Sequence, residues 1–181
     1  HTRHFFDQAL RAFITGLEEA GLDDRTVVAL WGDHDAGFEW RPAIARALGT
    51  SYDAAGWYLS QRVPLLIRVP DLALPTAGLN RPAGHADVAP TLLALLAVDP
   101  GPYAFTGRNL LGSAGPGPVV GEYRCWRDAT HLYLRRGPLL TDGECIELDS
   151  MTRVDPEACS DSFEAARREV VLAPQSSVHA A

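Results

Sequence analysis

The chain has 181 residues, 46% of them apolar, which is enough for a globular domain with a sizeable core and excludes a disordered chain. Sixteen basic side chains, all arginine, stand against 23 acidic ones for a net charge of -7, and no basic run occurs, so nucleic acid is not expected as a partner. The longest strongly apolar stretch, around Val88 to Val98, has about half the residues that a bilayer crossing needs and is interrupted by Pro90; no membrane span is expected within the chain.

The opening "HTRHFF" has neither a start methionine nor the apolar core of a signal peptide, and it reads as the middle of a longer protein. Residues 3 to 21 place Phe5, Phe6, Ala9, Leu10, Phe13, Ile14, Leu17 and Ala20 at helical spacing, opposite Arg11, Glu18 and Glu19, and Gly21 suits the helix end. After the polar turn "DDR", the run "TVVALW" is short, β-branched at its start and apolar at consecutive positions. That is the pattern of a strand buried on both faces of a parallel sheet. Residues 38 to 62 are too long for a plain connection, and "RPAIARALG" predicts a short helix within them. A second buried strand is expected at "VPLLIRV", Val63 to Val69, entered through a proline. In "GHADVAPTLLALLAV", Asp87 can cap a helix whose first turn holds Pro90 and which Leu92, Leu93, Leu95 and Leu96 continue.

Helix, strand, strand and helix in one core imply an α/β fold, a mostly parallel sheet with helices on both faces. From Gly112 the texture changes. "GSAGPGP" reads as a linker, "VVGEYRCW" and "HLYLRR" alternate like antiparallel strands, and "SDSFEAARREVVL" predicts a closing helix up to Leu172. The last residues, "QSSVHAA", are expected to fray. The expected organisation is therefore a body over residues 1–112 and a small antiparallel region with its helix over 113–181, parts of one domain.

In such a sheet ligands gather at the carboxyl ends of the strands, and "LWGDHDAG" puts Asp33 and His34 where "TVVALWG" runs out. A carboxylate and an imidazole are good donors to a hard or borderline divalent cation. Adjacent side chains on an extended strand point to opposite faces, so both reach one ion only through a sharp turn, which Gly32 and Gly37 would allow. The alternative is that Asp33 caps a turn and His34 is an ordinary loop residue.

The neighbourhood, taken in order, favours the metal. "FFDQALRAFITGLEEAGLDDRTVVALWGDHDAG", "QRVPLLIRVPD", "GHADVAPTLLALLAVD" and "GRNLLG" together resemble the sulfatase-like branch of the alkaline phosphatase superfamily, and within it the lipoteichoic acid synthase and phosphoglycerol transferase group. The resemblance covers roughly residues 3 to 112 and extends to the tail with "DGECIELDS". It implies an alkaline-phosphatase-like α/β fold and a metal-dependent transferase or hydrolase whose active site faces outward from a membrane anchor. It also implies that Asp33 and His34 bind the catalytic cation, Mn²⁺ first, with Mg²⁺, Ca²⁺ or Zn²⁺ as alternatives. The nucleophile and a further acidic ligand would lie before His1, so the chain is similar to the C-terminal part of a catalytic domain. No catalytic residue is assigned within it, and by itself it is expected to show no turnover and poor metal affinity.

The implied reaction is phosphoglycerol transfer from a membrane lipid to a cell-envelope glycan or polymer, with an anionic lipid headgroup or glycan as partner. The alternatives are a sulfatase acting on sulfated glycans and a non-catalytic member of the fold. One departure bears on substrate: in the lipoteichoic acid synthases the residue four after the motif histidine is a small hydroxyl residue that helps hold glycerol phosphate, and here it is Phe38. Asp35 is a candidate substrate contact or simply orders the turn. His85, at a loop-to-helix junction where backbone N–H groups favour anions, is a candidate substrate contact, a support for the metal ligands, or a histidine bonded near a helix start.

Trp40, Trp57 and Tyr58 could wall a pocket for a sugar or headgroup or form local core. Arg41 and Arg62 could meet an anionic substrate or make surface ion pairs. His131 reads as structural, and His1, His4 and His179 take no role. Cys145 and Cys159 could close a 13-residue loop by a disulfide, leaving Cys125 free and pointing to an extracytoplasmic setting; three reduced thiols are the alternative.

Overall fold

Helix α1, Thr2–Glu19, matches the predicted apolar spacing and ends as its last glycine dictates. Gly21 adopts φ 62°, and the N–H groups of Gly21 and Leu22 bond back to Glu18 and Leu17 at 3.0 and 2.9 Å. Leu10, Ile14 and Leu17 are half-buried, whereas Phe5, Phe6 and Phe13 are each more than half exposed. The computed structural model describes residues 2–35, 37–72, 82–99, 101, 105–112, 117–121 and 124–172, and these fall into two units. His1, His179, "QSSVHAA" and most of the "GSAGPGP" segment lie outside the described residues.

The first unit comprises His1–Asp35 and Arg62–Thr76. Besides α1 it holds β1, Val28–Trp31, and β2, Leu65–Arg68. The two strands pair antiparallel, with Val28 opposite Arg68 and Trp31 opposite Leu65, which corrects the expected parallel sheet. The end of β1 lies beside the start of β2, so the long intervening segment leaves and re-enters at the same end; a parallel pair would require a crossover to the opposite end. Strand β2 is also one-sided rather than buried on both faces, and β1 is half-buried at Val28, Ala29 and Leu30. Leu65 and Ile67 are half-buried, Leu66 and Arg68 face outward, and Trp31 is exposed. Arg68 ties β2 to the turn after α1, donating to the Asp23 carbonyl at 3.0 Å with the Asp23 carboxylate 3.7 Å away.

The second unit comprises Ala36–Gln61 and Ala77–Ala181. Helix α2, Pro42–Ala47, is the expected short helix, and α3, Ala54–Ser60, is a second that the sequence reading did not anticipate. Its signal was Asp53, whose carboxylate accepts the Gly56 N–H at 2.8 Å as a side-chain cap. Helix α4, Val88–Leu95, precedes a five-stranded antiparallel meander: β3, Val119–Val120; β4, Trp126–Arg127; β5, His131–Leu134; β6, Glu144–Glu147; and β7, Thr152–Val154. Helix α5, Ser160–Leu172, closes the unit.

Alternation across the pleat gives this sheet two cores. Leu132, Leu134, Ile146 and Cys125 pack with Ala55, Tyr58 and Leu59 of α3 and its end. Trp126, Tyr133 and Cys145 pack with Cys159, Phe163 and Ala166 at and within α5. Trp126 stacks on Tyr133 with centroids 5.3 Å apart, and Phe163 meets Tyr133 edge-on at 5.7 Å. Helices therefore cover both faces of an antiparallel sheet; the fold is α/β, but every strand pair among the described residues is antiparallel. Cys145 and Cys159 form a disulfide and Cys125 is a buried free thiol. No helix among the described residues is long and apolar enough to cross a membrane.

Two polar centres, one buried and one half-buried, fix loops in this unit. Asp87, 3% exposed, does not cap α4 with its side chain as expected. It ends the 3-10 turn His85–Asp87, and its carboxylate accepts the Gly84 N–H at 2.9 Å and the Arg108 N–H at 2.7 Å. Thr91, fully buried, donates to the Asp87 carbonyl at 2.6 Å and accepts from the Leu110 N–H at 2.9 Å. Gly107 lies against the Ala86 carbonyl so closely that a Cβ would collide with it. "GHADVAPT" and "GRNLLG" are thus joined by main-chain groups that only a buried acid, a buried hydroxyl and a glycine accommodate. The second centre is Asp128, between β4 and β5, which accepts from the N–H groups of Thr130 and His131 at 2.9 and 2.7 Å and from the Ser162 hydroxyl at 2.6 Å.

Asp87→Ala leaves two half-buried N–H groups without their acceptor and is expected to cost about 3 kcal/mol by denaturant unfolding; Gly107→Ala should be of similar severity because the Ala86 backbone cannot give way. Burial acts to raise the Asp128 pKa, but the hydrogen bonds from Ser162, Thr130 and His131 outweigh it and hold the carboxyl below its ordinary value. A lowered folded pKa stabilises above the ordinary aspartate range, and that contribution is lost as pH falls through the folded value. Asp128→Asn should therefore lose stability at neutral pH and show a shallower acid decline in thermal melts; parallel curves for the two proteins would contradict this.

Candidate metal centre

Strand β1 ends at Trp31, and the path of the chain beyond it is set by how closely it passes the segment entering β2. The Gly32 N–H donates to the Pro64 carbonyl at 3.1 Å, and a Cβ on Gly32 would lie 2.8 Å from the Val63 Cβ. Gly32 is needed for this close approach rather than for left-handed backbone; Gly37, at φ 62°, is the residue that uses glycine's conformational freedom. The chain then bends at Asp33 and His34 instead of extending the strand.

The bend brings the two side chains to one side. The Asp33 carboxylate accepts the His34 N–H at 3.0 Å. His34 Nδ1 lies 2.7 Å from the Asp35 carbonyl oxygen, which can only accept, so Nδ1 is the donor and, in the neutral ring, the lone pair is left at Nε2. Nε2 stands 3.7 Å from Asp33 Oδ1. Two coordination bonds of about 2.0–2.2 Å can meet across that gap, so one cation can touch both atoms. Both side chains are largely exposed, His34 at 76% and Asp33 at 86%. Their donor set of one carboxylate oxygen and one neutral imidazole suits Mn²⁺ or Zn²⁺. Among the described residues no group of three or more His, Cys, Asp and Glu side chains converges, so the turn offers two ligands.

Asp35 enters this arrangement through its main-chain carbonyl. His85 belongs to the second unit, where it opens the 3-10 turn held by Asp87 and is exposed. Trp40 stacks with Tyr52, centroids 6.1 Å apart, and the Tyr52 hydroxyl points to the Trp40 carbonyl at 3.5 Å. Tyr58 packs from α3 against the sheet core, and burial pushes its hydroxyl up to about 12, so it stays a neutral phenol. Arg41 pairs with exposed Glu39. His131 sits in β5 with its N–H on Asp128, and His4 is exposed on α1. Sequence reasoning missed the hold of Asp87, Thr91 and Arg108 on the loop that carries His85; the signal was the pairing of "HADVAPT" with "GRN", which has no local periodicity.

The sulfatase family model matches residues 1–98. The chain is similar to lipoteichoic acid synthase 1 of Bacillus subtilis (strain 168), 40% identical over 114 residues, or 60% of this chain and 17% of the relative. It is 36% identical to lipoteichoic acid synthase 2 of the same organism over 113 residues, with the same shares of each covered. To the lipoteichoic acid synthase of Staphylococcus aureus (strain USA300) it is 32% identical over 121 residues, 66% of this chain and 18% of the relative. The chain spans less than one fifth of the length of these curated relatives. With more than half of its residues matched by the family model, the chain belongs to the sulfatase family.

Proposed function

We propose that this chain supplies two ligands, Asp33 and His34, to the catalytic divalent cation of a transferase that moves a phosphoglycerol-type headgroup from a membrane lipid to a cell-envelope glycan or polymer. The observation that carries the reading is the turn itself. The Asp35 carbonyl accepts from His34 Nδ1, which in the neutral ring leaves Nε2 as the ligand atom, 3.7 Å from Asp33 Oδ1. A hydrogen-bonded imidazole in a fixed tautomer is a ligand prepared before the ion arrives. The cation, Mn²⁺ first with Mg²⁺, Ca²⁺ and Zn²⁺ as alternatives, would neutralise anionic ester oxygens and favour ionisation of a nucleophile. No residue of this chain is assigned as that nucleophile.

Two further residues are candidate substrate contacts. His85, exposed and held by the Asp87 loop, is the candidate contact for an oxygen of the anionic headgroup; Asp35, through its side chain, is a second candidate substrate contact. The buried Cys145–Cys159 disulfide supports an extracytoplasmic setting, with membrane attachment through segments preceding this one. The second reading, hydrolysis of sulfate esters of glycans, rests on the family model that the chain matches.

In the full-length protein, Asp33→Ala and His34→Ala are each expected to lower phosphoglycerol transfer by on the order of 10³-fold and to reduce bound Mn²⁺, with thermal stability unchanged because both side chains are exposed. Unaltered transfer at matched folding would contradict the metal role. Faster turnover of an aryl sulfate than of a glycerophosphodiester would favour the sulfatase reading.

A further inference from the structure

The second unit contains three cysteines, and the pleat of its sheet sorts them. Trp126 is opposite Tyr133 and Tyr133 opposite Cys145, so Cys145 lies on the face that α5 covers. Cys125, one residue before Trp126, falls on the other face with Leu132, Leu134 and Ile146. Cys159 ends the 3-10 turn Pro156–Cys159, and the next residue begins α5. Two sulfurs thus share one face, buried to 0% and 1% exposure, and the sheet walls off the third.

Noncovalent contacts also hold the described part of α5. Phe163 and Ala166 pack against the sheet, and the Ser162 hydroxyl donates to Asp128. The covalent link stands immediately before this short contact and joins it to β6, an interior strand of the meander.

We infer that the folded sheet selects the Cys145–Cys159 pairing over the two that involve Cys125, and that oxidation of this pair is the step that fixes α5 on the sheet. In that step the two thiols lose two protons and two electrons as the sulfur–sulfur bond forms, and a disulfide oxidant, protein or small molecule, takes them up and is reduced to two thiols. Burial raises the Cys125 pKa, which leaves little thiolate to attack the finished bond. The consequence is a maturation device: an oxidising compartment adds a covalent lock at the start of α5, and a reducing one leaves α5 to its noncovalent contacts with the sheet.

The test uses the 181-residue chain, fully reduced and then oxidised with glutathione disulfide. In strong denaturant, loop closure alone weights the pairings by separations of 14, about 20 and about 34 residues, which gives about half Cys145–Cys159. In native buffer, peptide mapping without reduction is expected to find that pairing in more than about nine molecules in ten, since only those two sulfurs meet the geometry of the bond. The denaturant mixture recurring in native buffer would overturn the selection. A Cys145→Ser and Cys159→Ser double variant is expected to keep the near-ultraviolet signal of the Trp126–Tyr133 stack while trypsin cleavage at Arg167 and Arg168 quickens at least about tenfold. Unchanged protection would show that α5 docks without the bond. Loss of the aromatic signal would show that the bond makes the sheet, and either result defeats the inference.

Discussion

Neighbouring side chains on an extended strand point apart, and the candidate metal centre depends on breaking that rule within two residues. Strand β1 must stop at Trp31 and the chain must bend at once. The bend is anchored by the Gly32 N–H on the Pro64 carbonyl and by the close pass of Gly32 against Val63. Both anchors belong to the segment entering β2, so the antiparallel pairing of β1 with β2 is what brings a support to the place where the turn needs one. Asp33, His34 and Asp35 then complete the turn with their own atoms, and the hydrogen bond to the Asp35 carbonyl decides which imidazole nitrogen faces the carboxylate.

Much of this was legible in the chain. The apolar stripe from Phe5 to Leu17, the Gly21 stop, the two apolar runs, the Pro42 helix and the alternating tail each carry a local signal, and each corresponds to an element. The direction of β2 was not legible, because "VPLLIRV" reads the same in a parallel or an antiparallel pair. What decides it is the path of the intervening 33 residues, Gly32 to Pro64, which no local pattern records. Continuous apolar runs also suggested full burial on both faces, whereas Leu66 faces outward and Trp31, at the end of β1, is exposed.

The second unit shows the same division between local and distant information. Asp87 stands where a helix cap is expected, yet its carboxylate serves Gly84 and Arg108, 21 positions further on. Asp128, which sequence reasoning did not single out, holds the turn between β4 and β5 and also receives Ser162 from α5, 34 positions away. Acids withdrawn from water are costly unless their acceptors are used; here main-chain N–H groups and a hydroxyl supply the hydrogen bonds, and the Arg108 guanidinium stands 3.8 Å from the Asp87 carboxylate. The Cys145–Cys159 link was legible as a loop closure, but which face each cysteine occupies emerged only from the register of β4, β5 and β6.

The central claim is that the turn prepares His34 as a ligand, and the tautomer of its ring tests that most directly. Long-range proton–nitrogen spectra of the neutral imidazole should show a protonated Nδ1 and an unprotonated Nε2, with the Nε2 resonance responding first when Zn²⁺ is added and that response lost in Asp33→Ala. A protonated Nε2, or a Zn²⁺ response unaffected by removing the Asp33 carboxylate, would contradict the account.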